Sequence, residues 1–327
     1  MSERLLTVED LVTRFYTEDG VVKAVDGNSL HVGQRETLGI VGESGSGKTV
    51  TALSVMRLIQ NPGRIERGAI RFMGNELLEK TEKEMRAIRG QAIAMVFQDS
   101  LSSLNPTLTI GEQIGRVLRS HTDLSSKVLR RRRVDLLAQV GIPEPAKRVT
   151  NYPHEFSGGM RQRALIAMAI SCNPALLILD EPTTALDVTI EAQVFELVDE
   201  LKAQYGMGTI LITHDLAVVA TSCVRVIIMY AGRIVEDAGV DELYERPLHP
   251  YTRGLLDSIP RLDDSMPRRL FSIPGEVPDL ISLPDGCNFS PRCQYATEAC
   301  WRVDPRLEEV RPGRFAACVR VNEIDEL

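Results

Sequence analysis

The segment Gly42–Thr49 has the residue types and the spacing of a loop that holds phosphate groups. It reads Gly-Glu-Ser-Gly-Ser-Gly-Lys-Thr and matches the pattern G-x-x-x-x-G-K-[ST], whose glycines let consecutive backbone N–H groups converge on phosphate oxygens. In this pattern Lys48 reaches the β- and γ-phosphates of a nucleotide, and the Thr49 hydroxyl binds Mg²⁺. The predicted nucleotide-binding residues of the loop are Gly42, Ser44, Gly45, Ser46, Gly47, Lys48 and Thr49.

Two acidic residues, Asp180 and Glu181, follow the apolar run Leu176–Leu179. A strand of this kind delivers the residues after it to the sheet edge where ligands bind in open α/β folds. There Asp180 would hold Mg²⁺ through its water shell, and Glu181 would polarise the water that attacks a phosphoryl group. An Asp-Glu pair at a strand end is more often merely solvated, so this prediction depends on the phosphate loop.

A third element, Ser157-Gly158-Gly159, opens a predicted helix that runs from Ser157 to Ile170. The N–H groups and the dipole at a helix N-terminus favour an anion. A simple capped helix start would have the same residues. The specific feature is the place of this element between the phosphate loop and the strand that ends in Asp180.

Four cysteines cluster late in the chain, at Cys287, Cys293, Cys300 and Cys318. Thiolates are soft ligands that suit zinc or an iron–sulfur cluster. The segment has no close Cys-x-x-Cys pair and no histidine, which disfavours the common zinc ribbons and fingers. Spacing alone does not separate a cluster from an all-cysteine zinc site, and four unliganded thiols are a third interpretation. The other two cysteines, Cys172 and Cys223, have apolar neighbours typical of small core residues.

The elements that must position these residues follow from the sequence pattern. Predicted strands and helices alternate between residues 158 and 230, which indicates an α/β fold with a largely parallel sheet. A helix is predicted from Thr49 to Ile59, directly after the phosphate loop. Ten of the 17 prolines fall between Pro247 and Pro312, so we predict a small, turn-rich appendage there.

The composition limits the class of protein further. The formal net charge of −7 gives no indication of nucleic acid or anionic lipid as a partner. The apolar runs are far shorter than the ~20 residues needed to cross a bilayer. The first residues also lack the pattern of a signal peptide. We therefore predict a cytoplasmic protein, free or docked to a membrane partner.

The phosphate loop, the Ser-Gly-Gly element and the strand ending in Asp-Glu occur in an order that resembles the nucleotide-binding subunit of an ATP-binding-cassette (ABC) transporter. The resemblance covers residues 1 to about 245. It implies a P-loop NTPase fold with a RecA-like core, an antiparallel β subdomain and a helical subdomain at about residues 98–172. The implied activity is ATP hydrolysis with ATP and Mg²⁺ bound.

The resemblance also implies roles for single residues. Gln98 matches the glutamine that senses Mg²⁺ or water and the membrane partner, and Asp187 ends the D-loop Ala185-Leu186-Asp187. His214 matches the histidine that contacts the γ-phosphate, and Phe15, or alternatively Tyr16, stands where an aromatic ring stacks on adenine.

The element Ser157-Gly158-Gly159 matches the signature, which in this family binds the γ-phosphate of the ATP held by the other subunit. Met160 departs from the many members that have glutamine there.

Three further segments indicate the branch of the ABC family. Residues 152–156, 246–256 and 288–293 resemble segments of the ATPases of oligopeptide, dipeptide and nickel importers. The resemblance then extends over a C-terminal region, residues 246–327, and implies a [4Fe–4S] cluster on the four late cysteines, with Zn²⁺ as the alternative. It implies a peptide importer as the function, with nickel or another small solute, or a soluble ABC ATPase, as alternatives.

The implied partners are a second ABC ATPase in a heterodimer, two transmembrane permeases and an extracytoplasmic substrate-binding protein, with no nucleic acid. The implied location is the cytoplasmic face of the inner membrane, as a peripheral subunit.

Overall fold

The structure is a computed structural model that describes residues 4–98, 103–183, 187–259 and 272–324. Its chain forms two compact units. We call Met1–Leu6, Val32–Glu36 and Phe72–Leu211 the first unit, and Thr7–His31, Thr37–Arg71 and Ile212–Leu327 the second unit.

The strands and helices of the described residues are numbered in chain order. The strands are β1 (Arg4–Thr17), β2 (Gly20–Gly33), β3 (Thr37–Val41), β4 (Gly63–Phe72), β5 (Asn75–Glu76), β6 (Ile93–Val96), β7 (Leu176–Asp180), β8 (Gly208–Thr213), β9 (Arg225–Tyr230), β10 (Arg233–Gly239), β11 (Glu308–Arg311) and β12 (Arg314–Ala316).

The helices are α1 (Lys48–Val55), α2 (Glu82–Ile88), α3 (Ile110–His121), α4 (Ser126–Gln139), α5 (Pro145–Arg148), α6 (Gly158–Ala169), α7 (Val188–Tyr205), α8 (Leu216–Ser222), α9 (Val240–Glu245), α10 (Pro250–Asp257), α11 (Glu298–Arg302) and α12 (Val321–Ile324), with a 3₁₀ turn at Pro153–Glu155. None of the described helices is both long and apolar enough to cross a membrane.

In the second unit, a mixed sheet carries the phosphate loop. Strand β3 pairs in parallel with β9, with Val41 opposite Ile228. Strand β9 then pairs antiparallel with β10, β10 with β12, and β12 with β11. All five residues of β3 are buried, because parallel strands covered on both faces are apolar throughout.

The prediction of a largely parallel sheet concerned residues 158–230, and the strands β7 and β9 of that range do pair in parallel, with β6 and β3. The sheet becomes mixed beyond that range, where β10 begins. Strands β9 and β10 are joined by Ala231 and Gly232, whose φ values are 45° and 83°. Positive φ at both central residues gives a tight hairpin, which can only connect antiparallel strands.

The C-terminal region also differs from the predicted appendage. Strand β12 pairs with β10, so this region extends the sheet of the second unit instead of forming a separate lobe. The boundary near residue 245 and the helical subdomain at about 98–172 remain predictions.

In the first unit, β6 and β7 pair in parallel, with Val96 opposite Leu179. Helices α3, α4 and α6 pack on one another, and α6 also contacts β6 and α7. The start of α3 is stabilised by a capping box in which Thr109 and Glu112 bond each other's backbone N–H groups.

The predicted elements near the site are present, with differences in their bounds. The helix predicted from Ser157 to Ile170 is observed as α6, at Gly158–Ala169. The helix predicted from Thr49 to Ile59 is shorter, since α1 ends at Val55. Arg57 adopts a left-handed φ of 51°, which the α-helix does not tolerate. Cys223 is buried as predicted, whereas Cys172 is half-buried.

Candidate nucleotide site

The phosphate loop connects β3 to α1, and its glycines are required by close neighbours. Gly47 precedes α1 with a φ of 100°, and a Cβ there would lie 2.3 Å from the Ala24 carbonyl oxygen. A Cβ on Gly42 would lie 2.2 Å from the Met229 carbonyl oxygen. Gly45 has a φ of 80°, is exposed, and has no atom within 4 Å of the position that a Cβ would take, so the loop is accessible there. The loop is thus packed at its two ends and open in the centre.

Lys48 lies where an ammonium group can meet phosphate. Its Nζ donates to the carbonyl oxygens of Gly42, at 2.7 Å, and Glu43, at 3.0 Å. Lys48 is buried, and Thr49 next to it is half-buried at the start of α1. The N-terminus of α1 and the Lys48 charge both favour an anion at the loop.

Two other predicted residues lie in the second unit with the loop. His214 is exposed directly after β8, where Thr213 Oγ1 accepts the Asp215 N–H at 3.0 Å and Asp215 caps α8. Phe15 is half-buried, and a Cβ on Gly63 would lie 2.5 Å from its ring.

The alternative aromatic residue, Tyr16, is 38% exposed. The Arg64 guanidinium lies over its ring, 4.1 Å from the centroid, and its hydroxyl donates to Glu66. One face of the Tyr16 ring is therefore covered by a cation. Phe15, with Tyr16 as the alternative, remains the prediction for the adenine-stacking residue.

In the first unit, the ends of two paired strands bring the acids and the glutamine together. Asp180 is 1% exposed at the end of β7. Gln98, just beyond β6, donates from Nε2 to Glu181 Oε2 at 2.8 Å. Glu181 has a left-handed φ of 45°, a strained conformation for a residue with a side chain. Strain of this kind is concentrated at functional positions.

The Ser-Gly-Gly element begins α6 in the predicted way. Ser157 is the N-cap residue, and its hydroxyl accepts the Met160 N–H at 3.4 Å. Ser157 and Gly158 are exposed. A Cβ on Gly159 would lie 2.7 Å from Ile190 Cγ2, so glycine lets α6 approach α7 closely.

Asp187 caps α7, accepting the Ile190 N–H at 3.0 Å. Because Gly159 also contacts Ile190, the predicted signature and D-loop residues lie at neighbouring helix N-termini of the first unit. Ala185 and Leu186, the other D-loop residues, lie outside the described residues.

The four late cysteines are free thiols that line one small pocket, together with His249, Phe289 and Arg320. Burial raises the pKa of the Cys287 thiol to about 11 and that of Cys318 to about 12. Over the described parts of the chain, no group of three or more Cys, His, Asp or Glu residues is placed to hold a metal ion. The four thiols thus share one pocket without forming a recognised metal-binding group, so a metal at these cysteines remains a prediction.

Sequence reasoning missed two contacts to the phosphate loop. The Arg292 guanidinium donates to both carboxylate oxygens of Glu43, and the Tyr251 hydroxyl accepts the Glu43 N–H. Both residues lie in the C-terminal segments that resemble importers. That resemblance was the only feature of the sequence that could have indicated a role for them.

Comparison with known proteins agrees with these features. The family described as "ABC transporter" matches residues 25–184, and the family described as "Oligopeptide/dipeptide transporter, C-terminal region" matches residues 235–300. The oligopeptide transport ATP-binding protein OppD of Bacillus subtilis is 51% identical over 313 residues, covering 95% of this chain and 87% of that protein. The oligopeptide transport ATP-binding protein AppD of the same organism is 48% identical, covering 98% and 97%.

Solved structures share the fold at lower sequence identity. A dimeric post-hydrolysis structure of the ATP-binding cassette MJ0796, bound to ADP and Pi, has a TM-score of 0.65 at 24% identity, covering 72% of this chain and 98% of that one. The structure of cbiO1 from Clostridium perfringens has a TM-score of 0.64 at 24% identity, covering 75% and 92%.

Proposed function

Because this chain belongs to the ABC transporter family, we propose that it hydrolyses ATP to drive an importer of di- and oligopeptides. The relatives at about half identity are oligopeptide transport ATP-binding proteins over nearly the whole chain. This chain also matches the family of oligopeptide and dipeptide transporter C-terminal regions, at residues 235–300. This supports peptides over nickel or another small solute as the cargo.

The observation that carries the catalytic assignment is the hydrogen bond from Gln98 to Glu181. A general base must be oriented towards the water that it activates, and an amide partner can hold its carboxylate. We assign Glu181 as the base and Gln98 as the residue that orients it and contributes to the Mg²⁺ or water site. His214 is the residue that contacts the γ-phosphate.

The loop residues would bind the phosphates of ATP. Lys48 supplies a positive charge to the β- and γ-phosphates, and the loop backbone supplies N–H donors. Thr49 and Asp180, with Gln98, would hold a Mg²⁺ ion, which would supply positive charge next to the phosphates. Phe15 stacks on adenine.

The signature serves the ATP of a second cassette. Ser157 and Gly158 are exposed at the N-terminus of α6, which is what an anion brought by a partner requires. Two cassettes would pair head to tail and close on two ATP molecules. We propose a second, different ABC ATPase as the partner, so that the assembly is a heterodimer, and Asp187 lies at the same interface.

The remaining partners follow from an importer function. Two transmembrane permeases would receive the motion of the cassettes through a surface near Gln98, and an extracytoplasmic protein would deliver the peptide. The chain would then be a peripheral subunit at the cytoplasmic face of the inner membrane, with no role in nucleic-acid binding.

We also propose a [4Fe–4S] cluster held by Cys287, Cys293, Cys300 and Cys318. The support is that all four thiols line one pocket. The cluster is assigned a structural or redox-sensing role and no part in ATP hydrolysis.

The decisive experiment reconstitutes the chain with its permeases and partner cassette in vesicles. ATP hydrolysis should rise when a peptide-loaded binding protein is added outside. Stimulation by nickel and not by peptide would support the alternative cargo. Failure of the chain to associate with any membrane protein would support a soluble ABC ATPase.

A further inference from the structure

Glu43, the acidic residue of the phosphate loop, is held by the C-terminal region at two points. Arg292 donates from Nη1 to Glu43 Oε2 at 2.7 Å and from Nη2 to Oε1 at 3.1 Å. The Tyr251 hydroxyl accepts the Glu43 N–H at 2.9 Å. All three residues belong to the second unit. The loop is therefore attached to the C-terminal region through its side chain and its backbone.

The Arg292 guanidinium is fixed in place. Its side chain is 5% exposed, its Nε donates to the Pro274 carbonyl oxygen at 3.1 Å, and it lies 5.8 Å from the centre of the Tyr230 ring. The hydrogen bonds to Glu43 raise its pKa, so the guanidinium stays charged. A planar donor held this way loses little entropy when it binds a carboxylate at two points.

A carboxylate in a phosphate loop needs such a partner. ATP is an anion, and an uncompensated carboxylate at Glu43 would repel the phosphates that the loop binds. The Glu43 side chain is 28% exposed, so water screens its charge only in part. The Glu43 carbonyl oxygen also accepts from Lys48, so a shift of this residue would move the phosphate-binding ammonium.

We propose that Arg292 is a positioning residue for ATP binding, which compensates the Glu43 charge and holds the loop ready for phosphate. This role rests on the proposed ATP site. It gives the importer-specific C-terminal region a direct effect on nucleotide affinity. The region would then be required for tight ATP binding in addition to its place in the sheet.

The test measures the Kd of the full chain for the non-hydrolysable analogue AMP-PNP with Mg²⁺. Arg292→Met removes the charge and should raise the Kd roughly ten- to a hundredfold, the range of lost hydrogen bonds to a charged group. Arg292→Lys keeps the charge but loses the two-point contact, so its Kd should rise by about threefold. The double variant Arg292→Met/Glu43→Gln has no uncompensated carboxylate and should bind within about threefold of the wild type.

A matched control is Arg225→Met. Arg225 bonds Asp237 at 2.8 Å in the same unit, and its side chain is 15% exposed, but it does not belong to the loop or to the C-terminal region. We expect a lower melting temperature with an unchanged Kd. Unchanged affinity in Arg292→Met would overturn the proposal.

Affinity in the double variant as weak as in Arg292→Met would equally overturn it, since a packing defect is not repaired by Glu43→Gln. If Arg292→Met does not fold, the proposal is tested by comparing the double variant with Arg292→Lys. The double variant must then bind AMP-PNP at least as tightly as Arg292→Lys does. Wild-type protein that binds no AMP-PNP would contradict the proposed ATP site itself.

Discussion

Gln98 donates a hydrogen bond to Glu181, although the two residues are 83 positions apart in the chain. The contact depends on the parallel pairing of β6 with β7, which sets Val96 opposite Leu179. Both side chains leave the sheet at the same edge, because the strands run in the same direction. The residue proposed to sense the nucleotide and the residue proposed to activate water are thus in direct contact.

Glu181→Gln should leave ATP bound and reduce its hydrolysis by roughly a hundredfold or more, because an amide does not act as a general base. We expect the paired cassettes to stay closed on ATP. The measurement is single-turnover hydrolysis in the assembled complex. Glu200→Gln, an exposed change on α7, is the control and should keep the wild-type rate. A wild-type rate in Glu181→Gln would refute the assignment of the base.

Lys48→Ala should weaken nucleotide binding before hydrolysis is reached, since the Lys48 ammonium, held by the carbonyl oxygens of Gly42 and Glu43, is the charge proposed to bind the β- and γ-phosphates. Titration of the purified chain with ATP and Mg²⁺ checks this, and transport should be lost with it. Lys83→Ala, at an exposed position of α2, provides the control. Unchanged ATP affinity and turnover would contradict the role of Lys48.

Gly47→Ala should destabilise the loop by more than the backbone strain alone. The matched control is Gly74→Ala. The φ of Gly74 is 77° and that of Gly47 is 100°, so both are left-handed, but no atom lies within 4 Å of a Cβ added to Gly74. The control should lose about 1–2 kcal/mol of unfolding free energy. At Gly47 the Cβ would lie 2.3 Å from the Ala24 carbonyl oxygen, so the loop backbone must also move.

Thermal unfolding and ATP titration of these two variants separate the effect of backbone strain from the effect of the close contact at Gly47. Gly47→Ala should lose ATP affinity and Gly74→Ala should not. Equal effects of the two substitutions on both measurements would show that the packing of Gly47 is unimportant for the loop.

Ser157→Arg should leave ATP binding by its own subunit intact and block closure on the partner. The new side chain would place a bulky cation at the exposed N-terminus of α6, in the space proposed for the partner's γ-phosphate. Cross-linking or light scattering with ATP measures closure. A variant that loses its own ATP yet still closes would refute the arrangement in which each signature serves the other subunit.

Cys318→Ser should remove one thiol of the proposed cluster and destabilise the C-terminal region more than the first unit. Wild-type protein purified without oxygen should be brown and contain about four irons per chain. Cys223→Ser is the control, because this buried cysteine lies outside the pocket that the four late thiols line. Colourless protein with one zinc would favour the all-cysteine zinc site, and protein without metal would exclude both proposals.

Local sequence determined the parts of the site that depend on neighbouring residues. The phosphate loop, the capped start of α6 at Ser157 and the cap of α7 at Asp187 are all short-range structures. Glycine conformations and capping hydrogen bonds involve residues within about four positions of each other, so they can be predicted from a motif. Strand β7 was likewise predictable from its apolar run Leu176–Leu179.

Only the tertiary structure decided which distant residues meet. Arg292 and Glu43 are 249 positions apart, and their contact depends on how the C-terminal region packs on the second unit. The same packing pairs β12 with β10, which changed a predicted appendage into part of a mixed sheet. Contacts of this kind arise from strand register and side-chain packing across the fold, and no local pattern of residue types specifies them.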